Sequence, residues 1–280
     1  MRDISIGDSK IYNQEKAMKV QALIPTMHQT DFSILDKMNI QTDAIVVNQC
    51  DRFSKDEFER NGRKILFYSL DERGVGLSRN FSLMRATGDI VLFSDDDIEY
   101  YDGYEEQLIK AFEDVPDADM IVFNLDYKDD ERASDRKKLS KIKRVRWYNC
   151  SGYGAARVAV KTESIKKANV AFSLLFGGGA KYSAGEDVLF INEAVRAGLH
   201  MYTYPVTLAQ IEGSTSTWFK GYDEKLFKDK GVLYAALNKR AAILRAIIYV
   251  VRYPHTCNEH LTVKKAFKLI CEGIREFKRR

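Results

Sequence analysis

A chain of 280 residues that is 45% hydrophobic and 30% charged can bury a core, which excludes disorder throughout. Its 4 Pro and 17 Gly exclude a collagen-like or linker-rich protein, and no apolar run reaches the roughly 18 residues of a membrane span; the longest candidate, Ala241 to Val251, is broken by Arg245. Net charge is +4, yet Lys239–Arg280 carries 11 basic against 3 acidic residues, a net of +8, leaving residues 1–238 at −4: an acidic body with a basic tail suited to an anionic partner.

Met1–Lys19 is polar and lacks an apolar h-region, so no signal peptide is expected. Cys50, Cys150, Cys257 and Cys271 show no CxxC spacing. A disulfide scaffold or structural zinc is therefore not expected, and a reducing, cytoplasmic location is the simple reading. Short apolar runs predict strands at Val20–Ile24, Asp43–Val47, Lys64–Tyr68, Asp89–Phe93 and Asp119–Phe123, buried on both faces. Helical patterns fall at Asp31–Met38, Gly76–Ala86 and Tyr104–Glu113. This alternation predicts an α/β fold with a mostly parallel twisted sheet flanked by helices, whose ligand sits beyond the carboxyl ends of the strands. Residues 126–146 turn from acidic to strongly basic and read as a solvated excursion or a loop for an anionic substrate. Gly154–Val160 then reads as a strand, Glu163–Asn169 as a helix, Gly177-Gly178-Gly179 as a flexible loop, and Asp187–Ala197 as a helix closed by Gly198.

Three clusters hold chemistry. Asp95-Asp96-Asp97 follows an apolar strand; adjacent carboxylates are stable when solvated or when a hard cation such as Mg²⁺ or Mn²⁺ neutralises them, and the triplet by itself leaves both open. Gly185-Glu186-Asp187 opens a helix, which is either an ordinary acidic first turn or a general base placed in a cleft. Arg73-Gly-Val-Gly-Leu-Ser-Arg79-Asn80 allows close backbone approach to a ligand, with arginines fitted to phosphate or carboxylate.

The order of these pieces is more specific than any one of them. Leu23-Ile-Pro-Thr26, Gly74–Asn80, Ala86–Asp97 and Gly185–Phe190 together resemble an inverting family-2 glycosyltransferase of the GT-A fold, of the polysaccharide-biosynthesis type, over roughly residues 20–205. The resemblance implies a catalytic domain over 20–230, with a nucleotide-binding half at about 20–125 and an acceptor half at about 147–230, between a polar segment (1–19) and a helical tail (231–280). It implies a nucleoside-diphosphate sugar donor held by Pro25, Thr26, Asn48, Gln49, Asp51, Gly76, Arg79, Asn80, Asp95 and Asp96. Asp97 would ligate Mn²⁺ or Mg²⁺, and Asp187 would be the base for an acceptor hydroxyl on a glycan or lipid-linked oligosaccharide. Gly178, Gly179, Glu186 and Trp218 would meet the acceptor. Family members often carry Asp-Asp where this chain has Asn48-Gln49, which rearranges donors and acceptors at the base; a uridine nucleotide is the first choice by family frequency alone.

Trp147 and Trp218 read either as sugar-stacking residues or as anchors. His28 lies near the nucleotide loop, His200 reads as structural, and His255 and His260 complete no metal set. Beyond residue 230, Tyr234, Leu237, Ala241, Leu244, Ile248 and Val251 share one helical face. Thr262–Lys278 carries Val263, Ala266, Phe267, Ile270, Ile274 and Phe277 opposite Lys264, Lys265, Lys268 and Arg275. That basic amphipathic helix either lies peripherally on the inner face of an anionic membrane or packs on the domain. Competing readings are a degenerate GT-A domain that only binds a nucleotide or partner, and a haloacid-dehalogenase-type phosphatase, against which Ile98-Glu99 follow the acidic triplet. Nucleic acid is not an expected partner, because basic charge is confined to the tail and one loop.

Overall fold

The computed structural model describes residues 18–128, 138–212, 221–257 and 261–279. One mixed sheet organises it. Four strands, β1 (Val20–Met27), β2 (Asp43–Gln49), β4 (Arg63–Leu70) and β5 (Ile90–Phe93), run parallel in the order β4-β2-β1-β5. They are the predicted apolar runs, and β1, β2 and β5 are buried almost end to end. A strand covered on both faces has no solvent side to mark by alternation. The sheet continues through β9 (Val158–Lys161), which is antiparallel to β5 and to β7 (Met120–Lys128). β10 (Met201–Glu212) is parallel to β7, and β6 (Ile98–Tyr100) and β8 (Lys143–Val145) pair antiparallel with β10.

Helices α1 (Ile34–Lys37), α2 (Val75–Arg85), α3 (Tyr104–Asp114), α4 (Thr162–Ala168) and α5 (Glu186–Arg196) follow the predicted patterns within a few residues. Two separate apolar layers result. Ile24, Val46, Leu92, Leu108 and Phe123 belong to one; Leu23, Phe93, Val122, Phe172 and Phe190 belong to the other. β3 (Ser54–Arg60) has no sequence signal: SKDEFER carries five charges and is almost wholly exposed. It exists because a hairpin turn at Asn61-Gly62, both at positive φ, folds it antiparallel onto β4. The predicted strand at 154–160 starts only at Val158, because Ala155–Arg157 is a 3₁₀ turn.

Beyond the sheet lie α6 (Glu224–Leu237), α7 (Ala242–Arg252) and α8 (Val263–Lys278). The single apolar face expected from Tyr234 to Val251 is divided. Asn238 leaves helical geometry, and its side chain accepts from the N–H groups of Arg240 and Ala241, at 2.9 and 3.2 Å, which closes a turn ahead of α7. Ala242, Ala246 and Val250 are the α7 residues that face inward, whereas Leu244, Ile248 and Val251 are exposed. The α8 stripe does pack: Ala266, Ile270 and Ile274 are buried in a core shared with Phe227 and Ala235 of α6. No helix among the described residues is long and apolar enough to cross a membrane.

The α6–α8 crossing has no room to spare. A Cβ on Gly231 would stand 2.0 Å from the Ile270 carbonyl oxygen, and one on Gly273 would stand 1.9 Å from that of Lys228. Overpacking of this kind costs about 1–3 kcal/mol. Gly231→Ala and Gly273→Ala should each lower the urea unfolding midpoint by that measure, whereas Gly152→Ala, with open space around it, should not.

Candidate active site

β1 sends the chain to β2 and β4 on one side, and α2 returns it to β5 on the other. The strand order therefore reverses between β1 and β5, where open α/β sheets bind ligands beyond the strand ends. Thr26 lies in the last two residues of β1, and Asp95-Asp96-Asp97 follows β5. The Thr26 hydroxyl donates to Asp96 Oδ2 at 2.6 Å and accepts from Gln29 Nε2 at 2.9 Å.

Arg79, on the inward face of α2, is the hub of the site. Only 3% of its side chain is exposed. Nη2 donates to Asp95 Oδ1 at 2.6 Å; Nη1 donates to Asp187 Oδ1 at 2.5 Å and to Glu186 Oε1 at 3.3 Å. Two carboxylate segments almost a hundred residues apart are thus joined through one guanidinium. Burial alone would lower the Arg79 pKa, but Asp187, Asp95 and Glu186 outweigh it and the net shift is upward, so the group stays charged. The ring centroid of Phe172 lies 5.3 Å from the guanidinium carbon, and Phe172 stacks on Phe190 of α5 with centroids 3.9 Å apart.

Glu186 and Asp187 open α5 after Gly185, at φ 119°. Asp187 Oδ2 accepts from the Ala155 N–H at 3.0 Å, so both oxygens are oriented while the carboxylate keeps partial exposure. Glu186 is more enclosed. Burial and the neighbouring Asp187, opposed by Arg79, raise it from 4.5 to about 7.

Asp97 is raised to about 6 by burial, Asp95 and Asp96, and its Oδ1 is buried with no hydrogen-bond partner. An orphaned carboxylate oxygen beside two other acids fits a hard divalent cation. Among the described residues no three His, Cys, Asp or Glu side chains form a ready-made cage. The donor set therefore fits an ion that keeps waters and takes phosphate oxygens from a substrate, as Mg²⁺ does.

Several residues expected to touch the donor are engaged within the protein. Asn48 is fully buried; Nδ2 donates to the Gln29 carbonyl and to Ser69 Oγ, and Oδ1 accepts from the Gln29 N–H. Gln49 Oε1 accepts from the Gly74 N–H at 2.8 Å. Asn80 exchanges two hydrogen bonds with the Phe172 backbone. Gly76 is needed because a Cβ there would stand 2.6 Å from the Ser173 carbonyl oxygen. These four hold the walls of the site together, and Pro25 is buried within β1. Asp51 and His28 are exposed at the rim.

The glycine loop is ordered by contacts rather than loose. Gly177, at φ 102°, seats on Glu186; the Gly178 carbonyl accepts from the Val75 N–H at 3.0 Å; Gly179 packs on Gly74. It joins the first turn of α2 to the first turn of α5. Trp218 lies outside the described residues, as do His260 and residues 129–137 of the charged excursion. Trp147 is exposed beneath Arg196 at the last turn of α5, a helix length away from Asp187. His200 is structural, its N–H and Nδ1 bound to Asp119 and Asp117.

Sequence reasoning missed the supports supplied by the C-terminal helices. Asp229 of α6 accepts from the Ser183 N–H and hydroxyl at 2.9 and 2.8 Å, and Glu276 of α8 accepts from the Tyr182 hydroxyl at 3.0 Å. Leu233 packs where a Cβ on Gly185 would be. Asp229 is buried; an acid on the inner face of an apolar helix was the available signal.

Residues 40–167 match the family described as Glycosyl transferase family 2. No curated protein matches the chain. Among solved structures, S. aureus TarS 1-349 in complex with UDP-GlcNAc aligns with a TM-score of 0.61 at 14% identity, over 94% of this chain and 92% of that one. The same protein with UDP aligns with a TM-score of 0.56 at 16% identity, over 94% and 90%. The mannosyltransferase PcManGT from Pyrobaculum calidifontis, in complex with GDP-Man and Mn²⁺, aligns at 0.52 and 12%, over 95% and 76%. The solved structures share the GT-A fold with this chain, and the resemblance to family-2 glycosyltransferases covers residues 40–167.

Removing a partner from a buried ion cluster leaves the remaining charges uncompensated, at about 3–5 kcal/mol. Arg79→Met should therefore lower unfolding free energy in urea by about that amount, more than Arg79→Lys. Glu186 gives a pH signature. A carboxyl raised from 4.5 to about 7 in the fold supports the native state most at low pH and loses that support as pH rises through the interval. In metal-free buffer, Glu186→Gln should gain on wild type between pH 4.5 and about 7, then hold a constant difference above it, as read from denaturation midpoints.

Proposed function

We propose, from the family-2 resemblance of residues 40–167 and the acidic cluster around Arg79, that this protein moves a hexose from a nucleoside-diphosphate sugar to a hydroxyl of a glycan or lipid-linked oligosaccharide, with inversion. The observation that carries the reading is the Arg79 bridge, which brings Asp95 and the Glu186-Asp187 pair to one point at the edge of the sheet. A uridine nucleotide is the donor of first choice.

Asp187 is the proposed base. Arg79 and the Ala155 N–H fix its carboxylate, and Oδ2, which accepts one protein hydrogen bond, takes the acceptor's proton as the acceptor oxygen attacks the anomeric carbon. The bond from that carbon to the β-phosphate oxygen breaks on the opposite face, and its electron pair leaves with the nucleoside diphosphate. Asp97, with Asp95 or Asp96, would hold Mn²⁺ or Mg²⁺, which when bound neutralises charge on the departing diphosphate. Asp95 and the exposed rim at Asp51 would meet the nucleoside, while Thr26 and Asn48 shape its floor. Glu186 and the loop through Gly178 and Gly179 would border the acceptor.

A panel of nucleotide sugars with and without Mn²⁺, scored by thermal shift, tests the donor site, since a ligand of the native state raises its midpoint by mass action. A selective, metal-dependent shift lost in Asp97→Ala is expected; no shift with any donor overturns transfer and leaves a degenerate domain. With the donor found, Asp187→Asn should retain that shift and lose about 10²–10⁴-fold in transfer rate, the range of general-base catalysis.

A further inference from the structure

α7 reverses the ordinary arrangement of a surface helix. Its buried side is lined by the small or short residues Ala242, Ala246 and Val250. Its outward side carries Ile243, Leu244, Ile247, Ile248 and Val251, exposed by 41, 59, 44, 51 and 73%. At 100° per residue these five occupy one continuous arc along the whole helix. Isolated exposed aliphatics are ordinary, but a contiguous stripe of them marks an interaction surface.

The charges around the stripe identify its partner. From Lys239 to Asn258 the sequence has four basic residues, Lys239, Arg240, Arg245 and Arg252, and no acidic one. Arg245 and Arg252, seven residues apart, border the stripe along one edge. Among the described residues neither pairs with a carboxylate. The segment belongs to the tail that carries +8 against −4 for the rest of the chain. Tyr253, half-exposed at the end of the helix, adds an aromatic of the kind that settles at headgroup level. At 11 residues the helix is about 16 Å long, too short to span a bilayer and suited to lie in its plane.

We propose that the exposed face of α7 docks on an anionic lipid surface, with Ile243, Leu244, Ile247, Ile248 and Val251 entering the acyl boundary and Arg245 and Arg252 meeting lipid phosphates. A second copy of the chain is the poorer occupant, because a two-fold contact through this face would bring Arg245 and Arg252 of both copies together with no acid on α7 to offset them. The proposal differs from the sequence expectation in assigning the contact to α7; of the apolar stripe of α8, Ala266, Ile270 and Ile274 are buried against α6 and α7, and Val263 at its start is exposed. It does not depend on the donor or the reaction.

Flotation of the full chain with vesicles tests it, using phosphatidylcholine alone and phosphatidylcholine mixed with phosphatidylglycerol. Binding to the anionic vesicles alone, weakened by salt, is expected. Leu244→Asp with Ile248→Asp should reduce the partition coefficient at least about tenfold, and Arg245→Glu and Arg252→Glu each about fivefold or more. These side chains are exposed, so the thermal midpoint should hold; if aspartate lowers it, the double Gln variant carries the same expectation. Three outcomes overturn the proposal. One is no binding to either vesicle. Another is binding that survives the α7 double variant but is abolished by Lys264→Glu with Lys268→Glu, which assigns the contact to α8. The third is a concentration-dependent dimer, without vesicle binding, that the α7 double variant abolishes.

Discussion

A guanidinium removed from water is stable only among carboxylates, and three carboxylates brought within a few ångströms of one another are stable only around a cation. Arg79 and its partners Asp95, Glu186 and Asp187 satisfy both conditions at once. The cluster is held from several directions. Phe172 and Phe190 stack beneath it, Asn80 fixes Phe172 through its backbone, and Gly76 lets α2 approach close enough for Arg79 to reach. The geometry of the site is consequently a property of α2 as much as of the loops that carry the acids.

The tail belongs to the same mechanical unit. Asp229 and Leu233 of α6 and Glu276 of α8 clasp the segment between Tyr182 and Gly185, immediately before the Glu-Asp pair. Gly231 and Gly273 bring those two helices close enough for both to reach it. The C-terminal helices therefore do more than add charge: the inward faces of α6 and α8 support the segment before α5, and the outward face of α7 is apolar.

The parallel strands were legible because each is a short, β-branched apolar run bounded by polar residues, and the helices because their periodicity is regular. β3 was not legible, since its partner β4 supplies its backbone pairing and Phe58 is the one apolar side chain of SKDEFER that packs on the core. The acids of the site stood out in sequence as clusters after a strand and before a helix. What sequence could not distinguish was whether a polar residue near the site faces the ligand or the protein. Asn48, Gln49 and Asn80 have the chemistry to read a nucleotide, yet their amides are engaged with Gln29, Gly74 and Phe172. The tail misled for a related reason: Asn238 breaks one helix into two, and a periodic pattern does not show which side of a helix its neighbours will cover.

The β3–β4 hairpin has a practical side. β4 runs toward the site, so the Asn61-Gly62 turn lies at the opposite end of the sheet, about 25 Å of strand away. Nothing lies within 4 Å of where a Gly62 side chain would begin, but its φ of 73° reserves that position for glycine, so the exposed Asn61 beside it is the position to label. A fluorophore or a short affinity peptide introduced there would hang from a solvated edge, remote from the acidic cluster and joined to neither the glycine loop nor α7. The protein therefore carries a natural attachment point from which it can be tethered or observed without obstructing its working edge.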